Sequence, residues 1–249
     1  MAFPMNKWLG KVAVVTGASA GIGAAICEQL VESGLKVVGL ARRKERVENL
    51  AKQLEGKNGK LYAFKADMTK EEDILSAFNW VTKNLGPIDV LINNVGIFKE
   101  HSFLDGSTKD WKDTFDTNVL SLCIATREAI KIMKQNKIDG HIVCINSIGG
   151  HKIPVSFPIN VYGASKYAVT ALAETLRVEL NSIGSKIKIS SVSPGAVKTE
   201  LVASLPPEAI AAIPFLEPAD VANAVMYILN TPQHVQIHDI LLRPVGQVE

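Results

Sequence analysis

Tyr162 and Lys166 stand four residues apart in the run Tyr162-Gly-Ala-Ser-Lys166, a spacing that puts both on one face of a helix about a turn apart. A tyrosine with an ordinary pKa of about 10 is a poor base at neutral pH, but an ammonium held nearby favours its phenolate. Such a pair could pass a proton to or from an alcohol or carbonyl oxygen. The same spacing recurs on ordinary solvated helix faces, so its meaning depends on its company. Ser147, in Val143-Cys-Ile-Asn-Ser147-Ile-Gly-Gly150, follows a β-rich run and could hydrogen-bond a developing alkoxide, although alone it reads as a turn residue. Asn118, in Phe115-Asp-Thr-Asn118-Val119, is awkward in a helix interior. Its amide could serve a water or Lys166 in a proton relay, or it could cap a helix end.

A second constellation lies near the start of the chain. Thr16-Gly17-Ala-Ser19-Ala-Gly21-Ile22-Gly23 follows a β-branched run and opens into helical spacing. Glycines there let backbone approach a pyrophosphate, and the helix N-terminus adds N–H groups and the positive end of its dipole. The spacing is Gly-x-x-x-Gly-x-Gly, not the Gly-x-Gly-x-x-Gly of the general dinucleotide fingerprint. The second β-rich run ends in Leu40-Ala41-Arg42-Arg43. An NAD site places a carboxylate at that point, whereas a 2′-phosphate requires a cation. Ala41 leaves the acidic position empty, while Arg42 and Arg43 with Ser19 could clamp the phosphate, so the expected cofactor is NADP(H). Asp67 could accept from an adenine amino group or cap the helix that follows, and Asn93-Asn94-Val95-Gly96 ends a strand at the ligand-binding edge of an open sheet.

These motifs need a frame, and the chain supplies one in alternation. Strands are expected over 12–16, 36–41, 61–65, 90–93, 141–146, 187–193 and 237–242, and helices over 21–33, 45–55, 71–84, 116–135, 162–183 and 218–230. Continuous apolar strands alternating with amphipathic helices predict a single doubly wound α/β Rossmann fold, a seven-stranded parallel sheet flanked by helices, in one domain spanning 1–249. The segment 201–215, with Pro206, Pro207 and Pro214, reads as a lid. With 27 Lys plus Arg against 25 Asp plus Glu, no broad basic face is expected, which excludes nucleic acid as a main partner. No apolar run is long enough to span a bilayer and the first residues lack the apolar core of a secretion signal, so a cytoplasmic protein with no membrane partner is expected. Three widely spaced cysteines in apolar contexts read as reduced, buried thiols, with no metal site.

Taken together, Thr16–Gly23, Asp67, 93–96, Asn118, Ser147, Tyr162–Lys166 and Pro194-Gly195 resemble, in order and spacing, the short-chain dehydrogenase/reductase family over essentially the whole chain. The resemblance implies a catalytic tetrad of Ser147, Tyr162, Lys166 and Asn118. It further implies that Lys166 and Tyr162 touch the cofactor, that Pro194, Gly195, Val197 and Thr199 hold its nicotinamide end, and that the protein forms a homodimer or homotetramer through the helices at 116–135 and 162–183. Three features depart from the family pattern. Val95 replaces the usual alanine, Ala20 stands where a basic residue is common, and the longer interval from Ser147 to Tyr162 should make residues 149–161 bulge over the site. The runs Gly149-Gly-His-Lys152 and Tyr162–Thr170 resemble the insect farnesol dehydrogenase-like branch and its vertebrate relative, dehydrogenase/reductase member 11. That branch implies an isoprenoid alcohol such as farnesol, or alternatively a ketosteroid or xenobiotic carbonyl, facing apolar residues such as Ile153, Phe157, Leu201 and Phe215. A cofactor-binding regulator without catalysis is the competing class, and retention of all four tetrad residues argues against it.

Overall fold

The computed structural model describes residues 5–99, 102–153, 159–202, 210 and 213–247. Seven strands form one fully parallel sheet: β1 (Val12–Thr16), β2 (Lys36–Ala41), β3 (Lys60–Lys65), β4 (Val90–Asn93), β5 (His141–Ile145), β6 (Lys188–Pro194) and β7 (Asp239–Leu242). Their order across the sheet is β3-β2-β1-β4-β5-β6-β7. After β3 the chain crosses to the far side of β1, so β1 and β4 flank the switch point at which a doubly wound sheet opens a crevice at its carboxyl ends. Every residue of β1, β4 and β5 is buried, which explains why these strands read as unbroken apolar runs.

The helices cover both faces. On one, α1 (Gly21–Glu32), α2 (Lys44–Gln53) and α7 (Pro218–Asn230) bring Ile26, Leu30, Val47, Val221 and Val225 onto Ala13 and Val15. On the other, α3 (Glu71–Asn84), α5 (Ser121–Gln135) and α6 (Tyr162–Ser182) bring Phe78, Met133 and Leu180 onto Val12 and Val14. The period-2 alternation of β1 divides its side chains between two cores. Expected element ends lie within two residues of the observed ones, with one exception.

That exception is the helix expected over 116–135. Helical backbone begins earlier, with α4 (Thr108–Phe115), continues through a π-helical turn (Asp116–Leu120) and only then becomes α5. The stretch from Thr108 to Asp113 is too charged to show apolar periodicity, yet its start is marked by Ser107, whose hydroxyl accepts from Asp110 N at 3.1 Å. The wider π turn is where Asn118 sits. Among the described residues no helix is long and apolar enough to cross a membrane, and no cluster of three or more metal-ligating side chains occurs. Cys27 and Cys144 are buried and Cys123 is half-buried, all three as free thiols; burial pushes the Cys144 thiol up to about 12.

Candidate active site

A cleft of about 1280 Å³ runs along the carboxyl ends of the strands, from Arg42 and Asp67 at one end to Tyr162 and Phe215 at the other. Its floor is the loop between β1 and α1. Gly17 adopts φ +69°, a left-handed conformation that favours glycine. A Cβ at Gly23 would lie 2.3 Å from the Gly17 carbonyl oxygen, so only glycine lets α1 seat against the loop. Asn94 braces this loop from β4: its Nδ2 donates to Thr16 O at 2.9 Å and to Gly17 O at 3.2 Å. Ala20 gives the first turn of α1 no side-chain cap, which leaves that turn's N–H groups for a ligand in the cleft that Gly17, Ser19, Gly21 and Ile22 line. Among the described residues this shallow, uncapped cradle fits a dinucleotide pyrophosphate.

At the adenosine end, Arg42 and Arg43 line the cleft beside Ser19. Arg43 Nη2 donates to Ser19 Oγ at 3.3 Å. The same nitrogen donates to Glu200 Oε2 at 2.8 Å, and Arg46 Nη1 donates to Glu200 Oε1 at 2.5 Å. Arg46 and Glu200 escaped the sequence reading. The Arg43–Arg46 spacing on α2 was the available signal for the first, but nothing in the sequence links position 200 to position 43. Asp67 lines the cleft as expected, but it does not cap α3. Its Oδ1 accepts from Thr69 N and Oγ1 at 3.1 and 2.8 Å, while Asp73 reaches back to accept from the Asp67 backbone N–H at 2.8 Å. Burial pushes the Asp67 carboxyl up, and the two Thr69 hydrogen bonds with the charges of Arg42 and Lys70 outweigh it, so its pKa lies below the ordinary value.

Ser147, Tyr162 and Lys166 meet at the other end of the cleft. Ser147 closes β5 in extended conformation, φ −164°, and its Oγ accepts from Gly149 N at 3.0 Å. Tyr162 opens α6 and packs edge-on against Phe98, with ring centroids 5.4 Å apart at 88°. Lys166 is one turn on, its Nζ 5.7 Å from the Tyr162 ring centroid. The lowered phenol pKa expected of this pair is not what the structure gives. Its Nζ donates to Ile145 O at 3.0 Å, and burial pushes the Tyr162 phenol above its ordinary pKa, opposed by a hydrogen bond with Ser147. The Lys166 ammonium is itself brought down by burial to about 8. Desolvation is the largest cause of both shifts: Lys166 is buried, and Tyr162 is half-buried where it lines the cleft.

Asn118 also departs from expectation. It is 2% exposed and serves neither Lys166 nor the cleft directly. Its Oδ1 accepts from Ile97 N at 2.8 Å, and its Nδ2 donates to Ile97 O and to Ser165 Oγ, each at 3.0 Å. The amide thus ties the backbone after Gly96 to the first turn of α6. A Cβ at Gly96 would lie 3.5 Å from Asn118 Oδ1 and 3.8 Å from Lys166 Nζ, so the two side chains flank one glycine. Asn160, in the left-handed region at φ +48°, holds the entry to α6: its Oδ1 accepts from Trp111 Nε1 of α4 at 2.9 Å and from Val161 N at 2.8 Å. The loop after Ser147 is anchored by His151, whose Nε2 lies 2.9 Å from Ser193 Oγ and 2.8 Å from Asp239 Oδ2.

Pro194, Gly195, Val197 and Thr199 follow β6 into the cleft, and the Thr199 methyl sits against Gly21. Of the expected substrate residues, Leu201 and Phe215 line the cleft. Ile153 does not: it is 48% exposed, and its side chain lies over Gly163 on α6. Phe157, with the rest of residues 154–158 of the expected bulge over the site, and most of the expected lid fall outside the described residues. Phe98 and Ile97, which the sequence reading passed over because they lie beyond the last residue of β4, complete the apolar wall. Of the lysines that line the cleft, Lys99 pairs with Asp110 at 3.5 Å and Lys109 with Asp113 at 2.5 Å.

The chain matches the short chain dehydrogenase family over residues 11–209. It is 48% identical over 248 residues to farnesol dehydrogenase of Aedes aegypti, a match covering 98% of this chain and 99% of the mosquito protein. It is 47% identical over 254 residues to mouse dehydrogenase/reductase SDR family member 11, covering 98% of each. Among solved structures it resembles a short-chain type dehydrogenase/reductase from Mycobacterium marinum, with TM-score 0.88 and 28% identity over 95% of both chains. An alcohol dehydrogenase from the archaeon Thermococcus sibiricus, complexed with 5-hydroxy-NADP, gives TM-score 0.84 at 26% identity over 96% of this chain and 98% of that one.

Proposed function

Because the chain belongs to the short-chain dehydrogenase family, and is thus an oxidoreductase of small molecules that uses a nicotinamide cofactor, we propose that it interconverts an apolar alcohol and its carbonyl with NADP(H). The observation that carries this reading is the convergence of Ser147, Tyr162 and Lys166 on the cleft that the glycine loop floors. When bound, the nicotinamide supplies or accepts hydride at the substrate carbon. Tyr162 gives its phenolic proton to the carbonyl oxygen in reduction and takes it back in oxidation. Ser147 Oγ hydrogen-bonds that oxygen as charge develops on it. Lys166 sets a positive charge beneath the ring and holds the cofactor ribose, and Asn118 keeps the Ile97 backbone and α6 in register around them.

Gly17, Gly21, Ile22 and Gly23 form the pyrophosphate cradle with Asn94 and Gly96 beside it, Asp67 takes the adenine, and Pro194, Gly195, Val197 and Thr199 hold the nicotinamide end. Ser19, Arg42 and Arg43 take the 2′-phosphate, for which the planar guanidinium is suited. The substrate class follows from the apolar wall of Leu201, Phe215 and Phe98 and from the similarity to the mosquito farnesol dehydrogenase; an isoprenoid alcohol such as farnesol is the first candidate. A second reading is NADPH-dependent reduction of a ketosteroid or xenobiotic carbonyl held against the same apolar wall of Leu201, Phe215 and Phe98. Initial rates at neutral pH on farnesol with NADP+ and on a ketosteroid with NADPH separate the two. Loss of neither activity in Tyr162→Phe would refute both.

The same reading takes residues 1–249 as one domain of a cytoplasmic homodimer or homotetramer. Exposed Leu120, Tyr167 and Val178 on the π turn and α6 support assembly through those helices. Light scattering of the intact chain tests it, and a monomer at micromolar concentration would exclude it.

A further inference from the structure

Arg42, Arg43, Lys44 and Arg46 crowd the start of α2, the end of a helix at which cations are unfavourable. Such a cluster calls for an anion, and in this structure a side chain supplies it. Glu200, from the segment that follows β6, spans the mouth of the cleft and divides its two carboxylate oxygens between Arg43 and Arg46, at 2.8 and 2.5 Å. The Arg43 nitrogen that binds Glu200 also donates to Ser19 Oγ. The guanidinium and hydroxyl expected to receive a 2′-phosphate are therefore the groups the carboxylate already engages.

We infer that Glu200 is an internal competitor for the 2′-phosphate subsite, a specificity-determining residue that must leave Arg43 and Arg46 before NADP(H) can be clamped there. This rests on the proposed preference for NADP(H). A cofactor without the 2′-phosphate leaves the ion pairs in place, so Glu200 weakens NADP(H) and leaves NAD(H) nearly untouched, narrowing the gap between them. The sign distinguishes this role from its opposite. Were Glu200 merely an orienting partner for the arginines, its removal would weaken the phosphate site. Both arginines and the glutamate are 43–55% exposed in their side chains, which sets the scale of each pair as modest. Glu200 also stands between Thr199, which touches Gly21, and Leu201 of the apolar wall, so its release loosens the segment that joins the cofactor and substrate ends of the cleft.

The test is calorimetric titration of the intact chain, wild type, Glu200→Gln and Glu200→Ala, with 2′,5′-ADP and with 5′-AMP at one low ionic strength. Both variants are expected to bind 2′,5′-ADP about three- to tenfold more tightly than wild type and 5′-AMP within about twofold of it. Glu200→Ala guards against a glutamine that still accepts from the arginines. Unchanged or weaker binding of 2′,5′-ADP in both variants overturns the competitor role while leaving the 2′-phosphate site intact. Equal affinity for the two nucleotides in the wild type and in both variants overturns the NADP(H) reading and the competitor role with it.

Discussion

Lys166→Met should make the cofactor-free protein more stable at neutral pH, and the size of the effect can be worked out. Burial brings the lysine from 10.5 to about 8, which corresponds to a destabilisation of about 3 kcal/mol at pH 7. The variant loses the hydrogen bond to Ile145 O, and a carbonyl left without its donor returns about 1 kcal/mol. The net gain is about 2 kcal/mol, or a melting temperature raised by about 4–8 °C for a chain of this size. The pH dependence is the sharper part. Between about pH 8 and 10.5 the unfolded lysine is still protonated while the folded one is not, so wild-type stability rises with pH there. The deficit is nearly complete below about 8, and roughly three fifths of it has gone by about pH 9.5. Calorimetric melting of both proteins from pH 7 to 9.5 should therefore give curves that converge. Lys188, which burial also brings to about 8, is common to both proteins and cancels in the difference. A gap that stays constant with pH, or a variant that melts lower at pH 7, would refute the argument.

Tyr162→Phe keeps the edge-on contact with Phe98 but removes the proton, so kcat should fall by about 10²–10⁴ while the Kd for NADPH stays within a few-fold. Arg43→Ala should raise the Kd for NADPH about tenfold and leave that for NADH within about twofold; an equal loss on both would remove Arg43 from the phosphate site. Asn118→Ala strands the N–H and C=O of Ile97, and urea titration should show a loss of about 2–3 kcal/mol.

The sheet was legible because its central strands are buried on both faces, which leaves continuous β-branched runs between helices whose apolar faces repeat regularly. The meeting of Ser147, Tyr162 and Lys166 on one cleft was legible because Tyr162 and Lys166 share a helix and Ser147 lies two residues past β5. What stayed hidden depends on distance across the fold. The charged face of α4 hid its start, and the role of Asn118 depends on a π turn that no periodicity announces. Glu200 lies 157 residues from Arg43 along the chain. The depth of the site was equally hidden: helical spacing says that two side chains are neighbours but not how far each is desolvated, and desolvation raises the phenol and lowers the ammonium.

Burial gives Lys166 its place in the proposed reaction. While Tyr162 holds its proton, the ammonium gains little from the ring and bears the full penalty of burial. Once the proton has passed to a carbonyl oxygen, the phenolate left behind spreads its charge over a ring whose centroid lies 5.7 Å from Nζ. At an effective dielectric constant of about 20 the pair then attracts by about 3 kcal/mol. An interaction that grows as the proton moves lowers the barrier without tightening the ground state, and 3 kcal/mol corresponds to roughly 10² in rate. The substitution that stabilises the resting protein should therefore slow it: Lys166→Met is expected to lose about 100-fold in kcat. A stabilised variant that kept its turnover would separate burial from function and dismiss the lysine from proton transfer.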